Sequence, residues 1–248
     1  GRGLPGGAEG LSSPVPSLRE LMDRNQVLLA EGAIIERVRR NPLVPLSPFV
    51  ADATLVNDRK GRLLLTRLHR EYIDVARDAG LPALVLSSTW RASRERLERA
   101  GLPLSVNDDA VKLMKEVRNW YGGYAPSIVI GGLVGPKGDA YKPATALPAD
   151  AAYRYHKPQV EALAFAGVDF LIASTLPALT EALGIARAMA ETGMPYVLSF
   201  VTRPDGALLD GNLLASAIRD AGEAARPRPF GVMLNCVHPD TARQALAG

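Results

Sequence analysis

A chain of 248 residues with 47% hydrophobic and 22% charged residues has the composition of a globular protein, which excludes a disordered chain and a coiled coil. Its net charge of +3, without a basic stripe interleaved with aromatic residues, argues against a nucleic-acid partner. One cysteine excludes an internal disulfide framework and is typical of a reducing cytoplasm, and no apolar run reaches the roughly 18 residues that a membrane span needs.

The first 16 residues are rich in Gly, Pro and Ser and lack the apolar core of a signal peptide. We expect residues 1–16 to form a flexible N-terminal leader. A helix is predicted over Ser17–Asn25, and its place before the first strand would suit a lid over the bottom of a barrel.

Six short apolar runs predict buried strands. Each run is nearly continuous in Val, Ile, Leu, Ala and Phe, which is typical of parallel strands that are covered on both faces. The predicted strands are Val27–Ala30, Ala83–Ser87, Ser127–Gly131, Asp169–Ala173, Tyr196–Phe200 and Phe230–Asn235.

Helical patterns lie between these strands, and several end in a glycine that suits a helix C-terminus, at Gly80, Gly167 and Gly193. The predicted helices are Gly61–Ala79, Val106–Trp120, Pro148–Ala166, Leu179–Glu191 and Gly211–Ala225. Repeated joints of this kind predict βα units, in either a doubly wound sheet or a barrel.

About six βα units are present, whereas a closed (β/α)8 barrel needs eight. Because open parallel edges are unfavourable, we expect a longer natural chain rather than a six-stranded barrel. The expected class is therefore α/β, with a TIM-type (β/α)8 barrel domain over residues 17–248 that is C-terminally incomplete.

Polar residues follow several strands, at the end where the chemistry of such barrels occurs. Glu31-Gly32 follows the first strand, and its carboxylate is either a contact for a ligand ammonium or an ordinary turn acid. Hydroxyl groups follow the second and fourth strands and serve either ligand contact or helix N-capping: Ser88, Thr89, Ser174 and Thr175. The glycine-rich run 131–138 matches no phosphate-binding fingerprint and suits either close approach to a ligand or a tight turn.

The last predicted strand ends in Asn235 and Cys236, the only cysteine. A thiol at a strand end is a candidate soft metal ligand, but a lone cysteine is more often a small buried hydrophobe and cannot hold zinc alone. His238 is the histidine with a candidate site position, against the alternative of a loop histidine. His69 and His156 fall within predicted helices and are interpreted as structural or solvated.

An ordered set of segments from about Ser17 to Gly248 resembles the homocysteine S-methyltransferase family. The last of them is similar to the family's Gly-x-Asn-Cys strand, and another resembles its Gly-Pro-x-Gly loop. The matching segments are Leu29–Ala33, Leu68–Tyr72 with Ala79-Gly80, Ser88–Ser93, Gly135–Tyr141, His156–Leu163 with Ala166–Asp169, and Gly231–Cys236.

The resemblance implies a barrel in which three thiolates bind zinc, and in which zinc favours the thiolate of homocysteine. That thiolate attacks the methyl group of a sulfonium or ammonium donor, giving methionine. By the same resemblance Cys236 would be the first metal ligand, and zinc is expected only if further cysteine ligands lie beyond Gly248. No residue is assigned as catalytic. The residues expected to bind substrate are Glu31, which would meet the amino group, Gly32, Thr89, Ser174, Thr175 and Asn235.

Three departures from the family pattern leave the activity open. The family's adjacent cysteine pair does not occur before Gly248, Ser174 stands where the family commonly has Glu, and Glu31 replaces Asp. The alternative is a non-catalytic barrel that binds a small molecule or a partner. The expected partners of the enzyme are a thiol acceptor and a methyl donor, whose identities stay open, as does association into a homo-oligomer.

Overall fold

A computed structural model describes residues 16–25 and 27–247, so the expected leader lies outside the described residues except for Pro16. Six parallel strands form one sheet in chain order. They are β1 (Leu29–Ala30), β2 (Ala83–Leu86), β3 (Ile128–Val134), β4 (Phe170–Leu176), β5 (Tyr196–Phe200) and β6 (Gly231–Leu234). The sheet curls as part of a TIM-type barrel, so the predicted α/β class with six βα units is confirmed.

Helices join the strands. They are α1 (Leu18–Arg24), α2 (Ile34–Arg39), α3 (Arg59–Asp78), α4 (Arg94–Arg99), α5 (Val106–Asn119), α6 (Ala149–Phe165), α7 (Leu179–Ala190), α8 (Leu214–Ala224) and α9 (Pro239–Ala247). Short 3-10 turns cover Asp52–Asn57, Gly122–Ser127 and Pro143–Thr145. Within the described part of the chain, none of these helices has the length and apolar character that crossing a membrane requires.

Both faces of the sheet are apolar, which explains the continuous hydrophobic runs of the sequence. In β4, Phe170 and Ile172 face the inside of the curl, whereas Leu171 and Ala173 pack in the layer between the sheet and the helices. Burial of an aromatic ring such as Phe170 contributes about 1.5–3 kcal/mol. The alternation therefore stabilises the strand on both sides at once.

Helix α1 lies against the amino ends of the strands, as expected for a lid. Leu18 and Leu21 pack with Val129 and Phe170, near the starts of β3 and β4. A capping box between Ser17 and Glu20 fixes the first turn of this helix. The closed end of the curl leaves the carboxyl ends of the strands as the accessible end.

Several helices were missed by the sequence prediction. Helices α2 and α4 have six residues each and bury only one or two, so they are too short to show a 3.6-residue period. Helix α9 begins at Pro239 with Asp240 in its first turn, which is a favourable helix start that the prediction did not use. Strand β4 continues past Ala173 to Leu176, because Ser174 and Thr175 extend the strand instead of ending it.

Candidate active site

The carboxyl ends of the strands surround a cavity of about 490 Å³. Apolar side chains from β2, β3, β4 and β6 form part of its wall: Leu84, Leu86, Leu133, Ile172 and Met233. Six of the residues expected to form the site also line it: Glu31, Gly32, Ser174, Thr175, Asn235 and Cys236. The fold thus brings together groups that lie as much as 205 residues apart in the chain (31 to 236).

Glu31 follows β1 and is held in place by two contacts. Its Oε2 lies 2.7 Å from Nδ1 of His69, and its Oε1 accepts a hydrogen bond of 2.9 Å from the backbone amide of Leu86. The side chains of Glu31 and His69 are only 3% and 1% exposed. Of the two interpretations of His69, the structural one is therefore correct, since this histidine of α3 orients a carboxylate on the cavity wall.

Two further polar groups belong to the cavity: Ser88, which the sequence analysis named as a ligand contact or a helix N-cap, and Asp52, which it missed. Asp52 and Ser88 both line the cavity and are buried. Burial raises the pKa of the Asp52 carboxyl, and this effect outweighs the opposing influence of the nearby Ser88 hydroxyl. Asp52 lies in a stretch between β1 and α3 without a motif, so no sequence signal marked it.

Asn235 connects the ends of three strands. Its Oδ1 accepts hydrogen bonds from the Ser199 hydroxyl (2.7 Å) and from the Thr175 amide (3.1 Å), and its Nδ2 donates to Thr175 Oγ1 (2.9 Å). Its own backbone amide donates to Phe200 (3.1 Å). This amide side chain is therefore fixed in one orientation at the cavity wall.

Backbone strain concentrates at the same place. Thr175 and Cys236 adopt positive φ values of 64° and 55°, a left-handed conformation that is uncommon for residues with a Cβ atom. The pairing of β4 with β5 also shifts register between Ala173 and Leu176. Strain of this kind costs on the order of 1–3 kcal/mol per residue and is found preferentially at functional sites.

Cys236 is exposed, and its sulfur lies 3.2 Å from Nδ2 of Asn235. Its polar neighbour on the cavity wall is Tyr141, which the sequence analysis quoted only as part of a loop. The pKa of Tyr141 is raised to about 12, mainly by hydrogen bonding with the Cys236 sulfur and to a smaller extent by burial. The sulfur therefore faces the cavity from the end of β6.

The described side chains around the cavity cannot bind a zinc ion by themselves. Between residues 16 and 247, apart from residue 26, no three His, Cys, Asp or Glu side chains converge to hold a metal. Cys236 offers one sulfur, whereas a catalytic zinc site has three protein ligands. His238 is exposed, does not line the cavity and lies near Asp240, as the interpretation of a loop histidine predicted.

Two of the predicted site residues also have structural contacts. Thr89 is fully buried and is not among the cavity residues, since its hydroxyl donates to the carbonyl of Leu133 (2.6 Å) and contacts Ser87 (2.8 Å). At Gly32 a Cβ atom would lie 2.7 Å from the Tyr72 hydroxyl, so a larger residue there would have to displace the Tyr72 side chain. At Gly135 of the glycine-rich run, a Cβ would lie 2.5 Å from both the indole nitrogen and the backbone oxygen of Trp90, so the close approach there is to protein atoms.

The loop that carries Tyr141 is anchored at both ends by a buried carboxylate of α7. Glu181 accepts hydrogen bonds from the amides of Lys137 (2.7 Å) and Leu147 (3.3 Å). Its Oε1 also lies 2.8 Å from Nε2 of His156 in α6. Although burial raises the pKa of Glu181, these hydrogen bonds bring it below its usual value. His156 is thus structural, as one of its two interpretations held.

Comparison with known proteins identifies relatives over most of the chain. Residues 28–248 match the model of the family described as Homocysteine S-methyltransferase. Homocysteine S-methyltransferase of Escherichia coli (strain K12) is 24% identical over 241 residues, covering 92% of this chain and 75% of that protein. Homocysteine S-methyltransferase YbgG of Bacillus subtilis (strain 168) is 23% identical over 236 residues, covering 88% and 72%.

Solved structures show the same fold. The metallated form of the homocysteine methyltransferase MmuM from Escherichia coli superposes with a TM-score of 0.76 at 23% identity, covering 92% of this chain and 81% of that one. The oxidized form gives a TM-score of 0.78 at 24% identity, with coverages of 92% and 80%. The partial barrel described above is therefore a fold shared with these proteins.

Proposed function

The chain belongs to the homocysteine S-methyltransferase family, and on that premise we propose that its cavity is the active site of a thiol methyltransferase. The enzyme would move a methyl group from a sulfonium or ammonium donor to a thiol such as homocysteine, giving methionine. The observation that carries the proposal is the meeting of Glu31, Asn235 and Cys236 around one cavity at the carboxyl ends of parallel strands.

The transfer itself is a displacement at carbon. The acceptor sulfur, as a thiolate, forms a bond to the methyl carbon while the bond from that carbon to the donor atom breaks. The electron pair of the broken bond stays on the donor, which leaves as a neutral thioether or amine. Since opposite charges cancel in this step, a poorly hydrated site favours it, and the apolar wall of Leu86, Leu133 and Ile172 provides such surroundings.

Each polar residue of the cavity has a proposed part in binding. Glu31 supplies negative charge for the amino group of the acceptor, and its contacts with His69 and Leu86 hold the carboxylate in place. Asn235, fixed by Ser199 and Thr175, offers a rigid amide to the substrate. Ser174, Thr175 and the backbone at Gly32 complete the polar part of the wall. Preorganised groups of this kind reduce the entropy lost on binding.

Zinc enters the proposal only on a condition. Cys236 would supply one thiolate, and further cysteine ligands would have to follow Gly248 in a longer chain. When bound in such a site, zinc lowers the pKa of a coordinated thiol. A cytoplasmic location also stays part of the proposal, supported by the single cysteine.

The test is methionine formation from L-homocysteine and S-methylmethionine by the full-length protein, measured by mass spectrometry. We expect Cys236→Ala to lower the rate at least about 100-fold, because it removes the sulfur at the centre of the site. Arg243→Ala, which alters an exposed side chain of α9, is the control and should keep the rate.

Ser174 favours a second candidate, the non-catalytic barrel that binds a small molecule or a partner. A serine at this position gives the cavity a neutral hydroxyl in place of the carboxylate that the family commonly has there. Methionine formation that Cys236→Ala abolishes would exclude this candidate. Absence of methyl transfer with every thiol tried would favour it over the enzyme.

A further inference from the structure

Asp52 is a buried carboxyl of the cavity that forms no ion pair among the described residues. It begins the 3-10 turn Asp52–Asn57, is only 4% exposed and lines the cavity. Among the described residues it forms no ion pair with Lys, Arg or His. Burying a carboxylate without a partner is unfavourable, so packing alone does not explain an acid at this point of the wall.

Ser88 provides an independent observation on the same wall. It is 5% exposed, lines the cavity, and its Oγ finds no hydrogen-bond partner within the described part of the chain. Buried polar side chains are paired in the large majority of cases. Among the described residues, the Ser88 hydroxyl thus has only the Asp52 carboxyl, whose pKa it lowers, as its polar neighbour, and it is available to a ligand in the cavity.

Glu31 adds a third acceptor. Each of its carboxylate oxygens is engaged in one contact, with His69 or with the Leu86 amide, whereas a carboxylate offers about four lone-pair sites. A primary ammonium group has three N–H donors. The acceptors at Glu31, Asp52 and Ser88 match that number, and ionised carboxyl groups carry the opposite charge to an ammonium.

We propose that Asp52, together with Ser88, binds the ammonium group of an amino-acid substrate in this cavity. The assignment rests on the proposed function, since it names the part of the thiol acceptor that this wall recognises. A ligand ammonium also offsets the cost of ionising Asp52, whose pKa is raised by burial in the free protein.

The experiment compares two thiols that differ only in the amino group, L-homocysteine and 4-sulfanylbutanoate, by isothermal titration calorimetry on the whole chain. We expect Asp52→Asn to weaken the affinity for L-homocysteine at least about tenfold and to leave the affinity for 4-sulfanylbutanoate unchanged. Asp78→Asn makes the same chemical change on an exposed side chain and should alter neither affinity. Thermal unfolding of each variant establishes that it is folded.

Each other outcome has a defined meaning. Equal losses for both thiols, or no loss for L-homocysteine, would overturn the role of Asp52 but leave the proposed methyl transfer to the methionine assay. A wild-type chain that binds neither thiol also overturns the assignment. Methyl transfer to a different thiol would then support the proposed function without a role for Asp52. If Asp52→Asn does not fold, Ser88→Ala is tested instead. We then expect the affinity for L-homocysteine, and not that for 4-sulfanylbutanoate, to fall by about threefold or more.

Discussion

Two buried glutamate–histidine pairs serve different parts of this molecule. His156 and Glu181 join α6 to α7, are 0% exposed, and anchor the two ends of the loop that carries Tyr141. His69 and Glu31 join α3 to the end of β1, and Glu31 borders the cavity. The first pair lies within the scaffold, whereas the second orients a group that a ligand can reach.

A third carboxyl, Asp52, which borders the cavity as Glu31 does, differs from Glu181 in how completely the protein pairs it. Glu181 has protein partners on both oxygens, including two backbone amides, and these partners lower its pKa despite burial. On the cavity wall, by contrast, burial raises the pKa of Asp52, which forms no ion pair within the described part of the chain. A fully paired carboxylate stabilises the fold, and an incompletely paired one stores unfavourable energy that a ligand can relieve.

The largest expected effect comes from breaking the scaffold pair. Glu181→Ala leaves His156 and the amides of Lys137 and Leu147 without their acceptor, so the free energy of unfolding should fall by about 3–5 kcal/mol. Urea denaturation measures it. Glu191→Ala is the matched control, because Glu191 also joins α7 to α6, through Lys157, but is 51% exposed. Its cost should stay below about 1 kcal/mol, and equal costs would contradict the comparison.

The lowered pKa of Glu181 predicts part of the decrease in the free energy of unfolding at acid pH. Because the pKa of Glu181 is lowered from its usual 4.5 in the folded state, the unfolded state binds more protons near that pH. Its contribution is therefore complete above pH 4.5 and is lost as the pH falls through the folded value. In urea denaturation between pH 3 and 7, Glu181→Gln should show a shallower loss than wild type. An unchanged slope would assign the acid limb to other groups.

The next effect separates two hydrogen-bonded asparagines, the partly buried Asn235 and the fully buried Asn107. Asn235→Ala leaves the Ser199 hydroxyl and the Thr175 amide unpaired at the cavity wall. Asn107→Ala removes one of the two acceptors of Gln159 and the donor to the Ala92 carbonyl, and Asn107 does not line the cavity. Each should lower the free energy of unfolding by about 1–3 kcal/mol in urea denaturation. Only Asn235→Ala should also reduce methionine formation by folded protein, by about tenfold. Equal activity losses in the two variants would mean that the asparagine acts through the scaffold alone.

Most of the fold could be predicted because one physical pattern repeats. Strands such as Phe170–Leu176 are covered on both faces and read as continuous apolar runs, and glycines such as Gly167 end helices with positive φ. Helix α4 escaped because a six-residue element that buries Leu97 alone leaves no periodic signal. Strand β4 was cut short because polar residues at its end continue the strand towards the cavity.

The cavity could be predicted in part, for a related reason. Glu31, Asn235 and Cys236 follow strands, and parallel topology alone brings strand ends together. Asp52 follows no strand, and it reaches the cavity through packing of its 3-10 turn against α3 and α5. The pairing of His69 with Glu31 spans 38 residues and depends on the side-chain direction of a helix, which no local pattern records.

The smallest expected effect tests whether the cavity acid opposes folding. The pKa of Asp52 is raised by burial, so between its usual 3.8 and the raised value the folded state holds the proton more tightly than the unfolded state. The contribution of this group is therefore fully favourable below pH 3.8 and declines as the pH rises through the raised value. Asp52→Asn removes the titrating group, so without ligand it should increase the free energy of unfolding at pH 7 by about 0.5–2 kcal/mol. Urea denaturation at pH 7 and pH 4 should show the gain mainly at pH 7, with Asp78→Asn as the control. A loss of stability at pH 7 would instead mean that Asp52 is needed by the scaffold, in the way that Glu181 is.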